Sequence, residues 1–445
     1  MRACLHMIDG TDSEIVRDSY NSLEMYLDWI RIQNFRTFRD VEINLVHPNQ
    51  SFATIGVPKP KLPNLNLLLG DNGFGKSAFL KSVALAALGP AVGDAGIYPY
   101  MLVRRATSAR RLNKRKGSVG PALPDAKITA RFRSHEQDRV PDSLRMIESK
   151  VAVQAIGDVE RLSWKGDDAL WAPIFSAKSD AFFFVGYGAE RRVAWKDRSD
   201  PVLRHSSSFV RAQRIQSLFE EGYQLVPFTV WLPELQTRNP GRFTQVKNLL
   251  NRLTGPGHYQ FTGEMEGGEY LFRRGSLTVP FPALSDGYRA YLGWIGDLLF
   301  HVVSTCPNEK KLVENKGIVM VDEIDLHLHP KWQMNVLPVL AKALPNLQFL
   351  ITSHSPLLVG SLEWMNIIVL EPGRSGSTLP RRIPEPVHGL DADQVLLTDF
   401  FGMATTRAAG KQAELKRLSL KARAGDLAAA RNLMEQMARG SEESR

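Results

Sequence analysis

Only two cysteines, Cys4 and Cys306, occur among 445 residues. They are too few and too far apart for a disulfide framework or a thiolate metal site, and they fit a reducing compartment. No apolar run approaches the length of a membrane span. The opening stretch MRACLHMIDGTDSE turns acidic too early for a secretory leader, so the expectation is a cytoplasmic protein that uses no membrane. Internal repeats, low-complexity tracts and sustained heptads are missing as well, which counts against a long coiled-coil arm. Carboxylates are missing from residues 95–124, a stretch that carries Arg104, Arg105, Arg110, Arg111, Lys114, Arg115 and Lys116. This basic loop and a net charge of +9 make DNA a candidate partner, although a charge run is equally compatible with a solvated surface.

With 43% hydrophobic and 23% charged residues, the chain can bury a large core in one elaborate domain or two to three lobes. Imperfect alternation over Leu27–Leu45 predicts two strands joined at Asn34 to Thr37. Pro48, Pro58, Pro60 and Pro63 mark a loop. From Ala78, apolar residues at three- and four-residue spacing predict an amphipathic helix that stops at Gly89-Pro90. Strand-like segments follow at Lys127–Phe132, Lys150–Ile156 and Ala181–Val185, then a mostly helical stretch at 209–253 and hairpins at 258–281. Tyr288–Val303 and Pro330–Leu344, the latter with Pro338 inside it, read as helices, and Ile318–Val321 and Gln348–Thr352 as buried parallel strands. The expected division is an N-terminal extension (1–26), a P-loop half (27–205), a helical and β insertion (206–280), a second half (281–385) and a helical cap (386–445).

Four short motifs carry the chemistry. GDNGFGKS, Gly70 to Ser77, follows the apolar run Leu65–Leu69 and precedes a helix, the context a phosphate-cradling loop requires. Gly70, Gly73 and Gly75, with Asn72 among them, let the backbone turn its N–H groups toward phosphate. Lys76 supplies positive charge and Ser77 a hydroxyl for Mg²⁺. A glycine turn before a core helix is the bland alternative, and GIVMVDE (Gly317 to Glu323) tips the balance. Asp322 at that strand end is placed to hold Mg²⁺, and Glu323 to polarise an attacking water. LSDGYR (Leu284 to Arg289) alone is merely a helix start capped by Ser285. Upstream of the acidic strand, Ser285 and Gly287 become a second anion site, with Arg289 either adding charge or forming a surface ion pair. His354, within TSHS, sits where it could touch a γ-phosphate or orient water. His327 and His329 make a poor metal pair, since no third ligand is visible and Pro330 starts a helix.

GDNGFGKS, LSDGYR, VDEIDLHLHP and ITSHSPLL together resemble the motif set of the RecF-like and OLD-like ABC ATPases, and IQNFRTF resembles their opening strand pair. The resemblance spans about residues 27 to 360. FVGYGAERR and GLDADQVLLTDFFGMATTR are similar to segments of ATPases from bacterial anti-phage systems of the Septu type. What this resemblance implies is an α/β P-loop NTPase of ABC type, with a mixed, mainly parallel core sheet, an antiparallel N-terminal layer and an inserted subdomain. It implies ATP and Mg²⁺ as cofactors and a homodimer or higher oligomer across the ATP sites. Lys76, Ser77, Asp322, Glu323 and His354 would form one half-site, and Ser285 and Gly287 would complete that of a second subunit. Asp325 to His329 would cross the dimer seam, and a separate effector, an HNH nuclease, would be the partner. Two departures stand out. No glutamine marks the Q-loop position, for which GYGAERR is the candidate. No TOPRIM nuclease domain fits in the residues after His354, and the pair Asp391 and Asp393 lacks a preceding apolar strand. A RecF-like DNA-repair ATPase and the energy-coupling subunit of a transporter are the rival readings. The long gap from Ser77 to Ser285 and the LHLHP segment weigh against the transporter.

Overall fold

A computed structural model describes residues 24–53, 58–93, 95–105, 123–135, 142–157, 159–172, 174–175, 182–193, 210–255, 257–373, 376–403, 405, 409–423 and 425–442. Arg110, Arg111, Lys114, Arg115 and Lys116 of the basic loop lie outside these residues.

The described chain opens with an antiparallel hairpin of β1 (Met25–Phe35) and β2 (Phe38–Asn44). Met25 and Tyr26 thus belong to a buried strand, not to the expected 1–26 extension. β3 (Leu65–Leu69), buried at every position, leads through the glycine loop into helix α1 (Lys76–Leu88). β4 (Ala126–Ser134), β5 (Met146–Ile156) and β6 (Val159–Lys165) then enlarge the hairpin to an antiparallel sheet of order β2-β1-β4-β5-β6.

β7 (Phe184–Tyr187) is followed by the two-residue strands β8 (Arg192–Val193) and β9 (Gln224–Leu225), with helix α2 (Val210–Gln216) between them in sequence. Helices α3 (Phe228–Arg238) and α4 (Pro240–Thr254) precede a meander of β10 (Gln260–Glu266), β11 (Glu269–Arg274) and β12 (Leu277–Pro280). The remainder alternates α5 (Asp286–Thr305), β13 (Gly317–Val321), α6 (Pro330–Ala343), β14 (Leu347–Ser353), β15 (Ile367–Pro372) and β16 (Thr378–Arg381). Its strands join β3 and β7 in a sheet of order β16-β15-β3-β14-β13-β7, parallel except for β16. The fold is therefore α/β, with a mixed core sheet, an antiparallel layer and the strand, glycine loop and helix of a P-loop NTPase.

The main core lies between these two sheets and draws on β1, β4, β5, α1 and β13. α1 occupies that space and is buried along nearly its whole length, including Ala78, Phe79, Leu80 and Val83 through Leu88. Its expected amphipathic stripe is absent for that reason, since a helix covered on every side needs no polar face. Two amides stitch the layers together. Gln348 of β14 accepts the Leu27 N–H at 2.8 Å and donates to the carbonyls of Leu27 at 2.8 Å and Val46 at 3.0 Å. Asn66 of β3 accepts from the Val46 N–H at 2.8 Å and donates back to its carbonyl at 2.7 Å.

Residues up to Gly389 form one compact unit and Leu390–Arg445 a second. The division falls later than the expected 386, because Val387 is buried and the Gly389 N–H donates to the Gly360 carbonyl at 2.9 Å within the first unit. In the second unit Asp391 caps the short helix Ala392–Leu396, and the helices Ala409–Arg423 and Leu427–Glu442 follow. Among the described residues no helix is long and apolar enough to cross a membrane.

Candidate nucleotide site

Sheet order dictates the site. β14 lies between β3 and β13, with Ser353 beside Leu69 and Ile351 beside Val321. The glycine loop after β3, His354 after β14 and the acidic pair after β13 therefore emerge side by side at the carboxyl ends of parallel strands, where open α/β sheets take their ligands.

In the loop, glycine is required for two distinct reasons. Gly75 has φ 86°, and a Cβ there would meet Thr37 Oγ1 at 2.3 Å, so both backbone and space exclude a side chain. Gly73 has φ 85° with nothing within 4 Å of a Cβ, so only its left-handed conformation demands glycine. Asn72 is exposed on the loop. Gly75 starts α1 without a side-chain cap and with no acidic residue in the first turn. That helix end thus keeps its N–H groups and its positive potential for an anion. Lys76 is buried and donates to the carbonyls of Gly70 at 2.8 Å and Asp71 at 3.2 Å. Burial pulls its ammonium below the ordinary lysine value, against the opposing fields of Glu323, Asp322, Asp325 and Asp71.

Across the edge, Thr352 organises the acidic pair. Its hydroxyl donates to Asp322 Oδ1 at 2.5 Å and accepts the Glu323 N–H at 2.8 Å. Asp322 is buried, whereas Glu323 is half-buried and holds φ 46°, a left-handed conformation uncommon for a residue with a side chain. Arg191 braces this turn. Its guanidinium donates to the Asp322 carbonyl and, at 3.0 Å, to the Glu323 carbonyl. It is buried, and desolvation draws its pKa down to about 10 despite the nearby Asp322, Asp325 and Glu323. Arg191 belongs to GYGAERR, the segment considered for the missing glutamine. The sequence offers nothing to single it out, because its partners are main-chain carbonyls. His354 lies between the charges, its Nε2 2.8 Å from Lys76 Nζ and 3.9 Å from Glu323 Oε1.

The donor set fits ATP and Mg²⁺. A curled glycine backbone and Lys76 suit phosphate oxygens. The Ser77 hydroxyl, on the first turn of α1, and the Asp322 carboxylate are hard oxygen donors of the kind Mg²⁺ accepts beside phosphate and water. Among the described residues no cluster of three His, Cys, Asp or Glu could hold a metal by itself. His329 instead serves the start of α6, where its Nδ1 accepts the Lys331 N–H at 3.3 Å.

Ser285 and Gly287 stand elsewhere. Ser285 is the exposed N-cap of α5 and makes no side-chain cap bond, while Arg289 pairs with Asp286. A Cβ on Gly287 would lie 2.9 Å from the His327 carbonyl, so this motif packs closely on the Asp325–His329 segment. Both residues line a cavity of about 600 Å³ with Arg274, Tyr288, Lys331 and Trp332, and no residue of the glycine loop, nor Asp322, Glu323 or His354, borders it. One chain thus gathers the phosphate loop, acidic pair and histidine at one edge and keeps Ser285 and Gly287 on a separate surface.

The family model described as "AAA domain, putative AbiEii toxin, Type IV TA system" matches residues 165–360, and one described as "AAA domain" matches residues 30–101. The Septu protein PtuA of Bacillus mycoides (strain KBAB4) is 23% identical over 390 residues, covering 87% of this chain and 46% of that protein. The chain resembles PtuA, and AAA-domain models match both of its motif-bearing stretches. The Retron Ec83 probable ATPase of Escherichia coli is 37% identical over 128 residues, 29% of this chain and 23% of that protein. The chain therefore spans about half or less of the length of these relatives. Among solved structures, the SMC head domain from Thermotoga maritima is 13% identical with a TM-score of 0.42, covering 80% of this chain and 98% of that one.

Proposed function

We propose that the chain hydrolyses ATP with Mg²⁺ and acts as a dimerising switch, the regulatory ATPase of an anti-phage defence system that controls a separate nuclease effector. The observation that carries the reading is the placement of Lys76, Asp322, Glu323 and His354 at adjacent strand ends, with Ser285 and Gly287 on a different cavity. Such a half-site is completed only by a second copy, so nucleotide binding and association are coupled. The Septu and retron names of its relatives support the defence role.

Within one subunit, the glycine loop and Lys76 bind and orient the triphosphate. Ser77 and Asp322 would hold Mg²⁺, which when bound would neutralise charge on the phosphate oxygens. Glu323 polarises the attacking water, and His354, already 3.9 Å from Glu323, orients it. Thr352 and Arg191 fix where the two carboxylates point.

Equilibrium ATP binding and steady-state turnover of two variants test this. Lys76→Ala is expected to lose nucleotide binding, because the ammonium neutralises phosphate in ground and transition states alike. Glu323→Gln is expected to bind ATP yet turn over at least about a hundredfold more slowly, and to sediment as a dimer with ATP only. Wild-type turnover by Glu323→Gln would remove the assignment.

A further inference from the structure

We propose that Arg274, seconded by Lys331, is a catalytic cation delivered to the triphosphate held by a second copy of the chain. The proposal rests on the shared-site reading above and adds to it a residue from the inserted meander. β11 ends in two adjacent arginines that are used differently. Arg273 pairs with Glu264 at 3.6 Å, whereas Arg274 is exposed, lines the Ser285 cavity and has no ion pair among the described residues. Lys331 lines the same cavity, equally exposed and equally without an ion pair. No carboxylate belongs to the lining. Two cations without an ion pair among the described residues therefore share this cavity with Ser285, whose side chain is not spent on capping its own helix. A planar guanidinium in such a place matches phosphate oxygens bidentately.

The wall behind these cations is fixed. His258 Nδ1 lies 2.7 Å from both Trp332 Nε1 and the Tyr288 hydroxyl. An indole N–H can only donate, so Nδ1 accepts and the imidazole is neutral. Tyr259 packs edge-on against Tyr288 at 5.3 Å, and the Arg274 guanidinium lies 6.0 Å from the Tyr259 ring centre. Arg274 is thus guided by an aromatic face on one side and left open on the other. The cavity also communicates with the catalytic turn. Gly287 abuts the His327 carbonyl, and the Leu326 N–H donates to the Glu323 carbonyl at 3.0 Å. An anion drawn to Arg274 and Ser285 would press on the segment that follows the water-polarising carboxylate.

In a Glu323→Gln background, sedimentation is expected to show that Arg274→Ala raises the dimer dissociation constant with ATP by roughly tenfold or more. ATP binding to the monomer stays unchanged. Arg274→Gln, which keeps the stem, behaves the same way, and Arg274→Lys recovers part of the loss. Subunit mixing assigns the site. Lys76→Ala combined with Arg274→Ala regains turnover, because both defects fall in one composite site and the other is intact. Lys76→Ala combined with Ser285→Arg is the parallel pair. Recovery only in the Ser285→Arg pair overturns the Arg274 proposal while the shared site stands, and recovery in neither overturns both. Unchanged dimerisation and turnover in Arg274→Ala, with loss instead of binding to a duplex DNA oligonucleotide, would also overturn it.

Discussion

Arg191 decides how the acidic pair is presented, and it does so without touching either carboxylate. Two of its N–H groups hold the carbonyls of Asp322 and Glu323, which leaves both carboxylates free of the guanidinium. A lysine is a point charge on a flexible stem and cannot span two carbonyls in a fixed plane. Arg191→Lys is therefore expected to slow turnover by roughly tenfold or more while ATP affinity moves less than about threefold. Steady-state kinetics against equilibrium binding separates the two effects. Equal losses in both would make Arg191 a part of the binding site and not a brace for the turn. The phosphate loop and acidic strand could be read from sequence because their chemistry demands fixed residue types at fixed spacing. Arg191 could not, since its partners lie 131 and 132 residues away and any residue supplies a carbonyl.

Among the elements, polar members of buried strands tie one layer to the other. Gln348 sits in a strand buried at every position and bonds to Leu27 and Val46. Replacing it by leucine preserves the apolar run but takes these partners from the buried Leu27 N–H and carbonyl, while the Val46 carbonyl keeps its bond from Asn66. Gln348→Leu is expected to cost about 2 kcal/mol or more, read as a lower urea midpoint at unchanged slope. A midpoint equal to wild type would show that water replaces these bonds. β13 and β14 announce themselves as apolar runs, as buried parallel strands do. β6 does not, because one of its inward residues is Glu160, whose carboxylate accepts the N–H groups of Leu102 at 2.7 Å and Val103 at 3.1 Å. An inward glutamate inverts the pattern by which a half-buried strand is recognised. The start of α5 at Asp286, ahead of the expected Tyr288, follows from Ser285 as its N-cap.

At the scale of the whole molecule, the main core draws every residue from within the first unit. Removal of residues 390–445 is therefore expected to leave a cooperative thermal transition and full ATP binding. Capture of the proposed nuclease effector should be lost if the helical tail is the docking element that reads the switch. Calorimetry with and without ATP, and co-purification with the effector, check the two halves separately. Failure of the shortened chain to fold would assign the tail to stability, and retained capture would move the docking site to the first unit.

The left-handed turn at Glu323 has an evolutionary corollary. A side chain at φ 46° strains the backbone by about 1 kcal/mol, and glycine would relieve that strain while removing the carboxylate proposed to activate water. Mutational drift and the catalytic requirement thus pull this position in opposite directions. A lineage released from selection for turnover would gain stability by exchanging this glutamate for glycine. Natural relatives with glycine there would be retired switches, still able to bind nucleotide and associate, with no means of letting go.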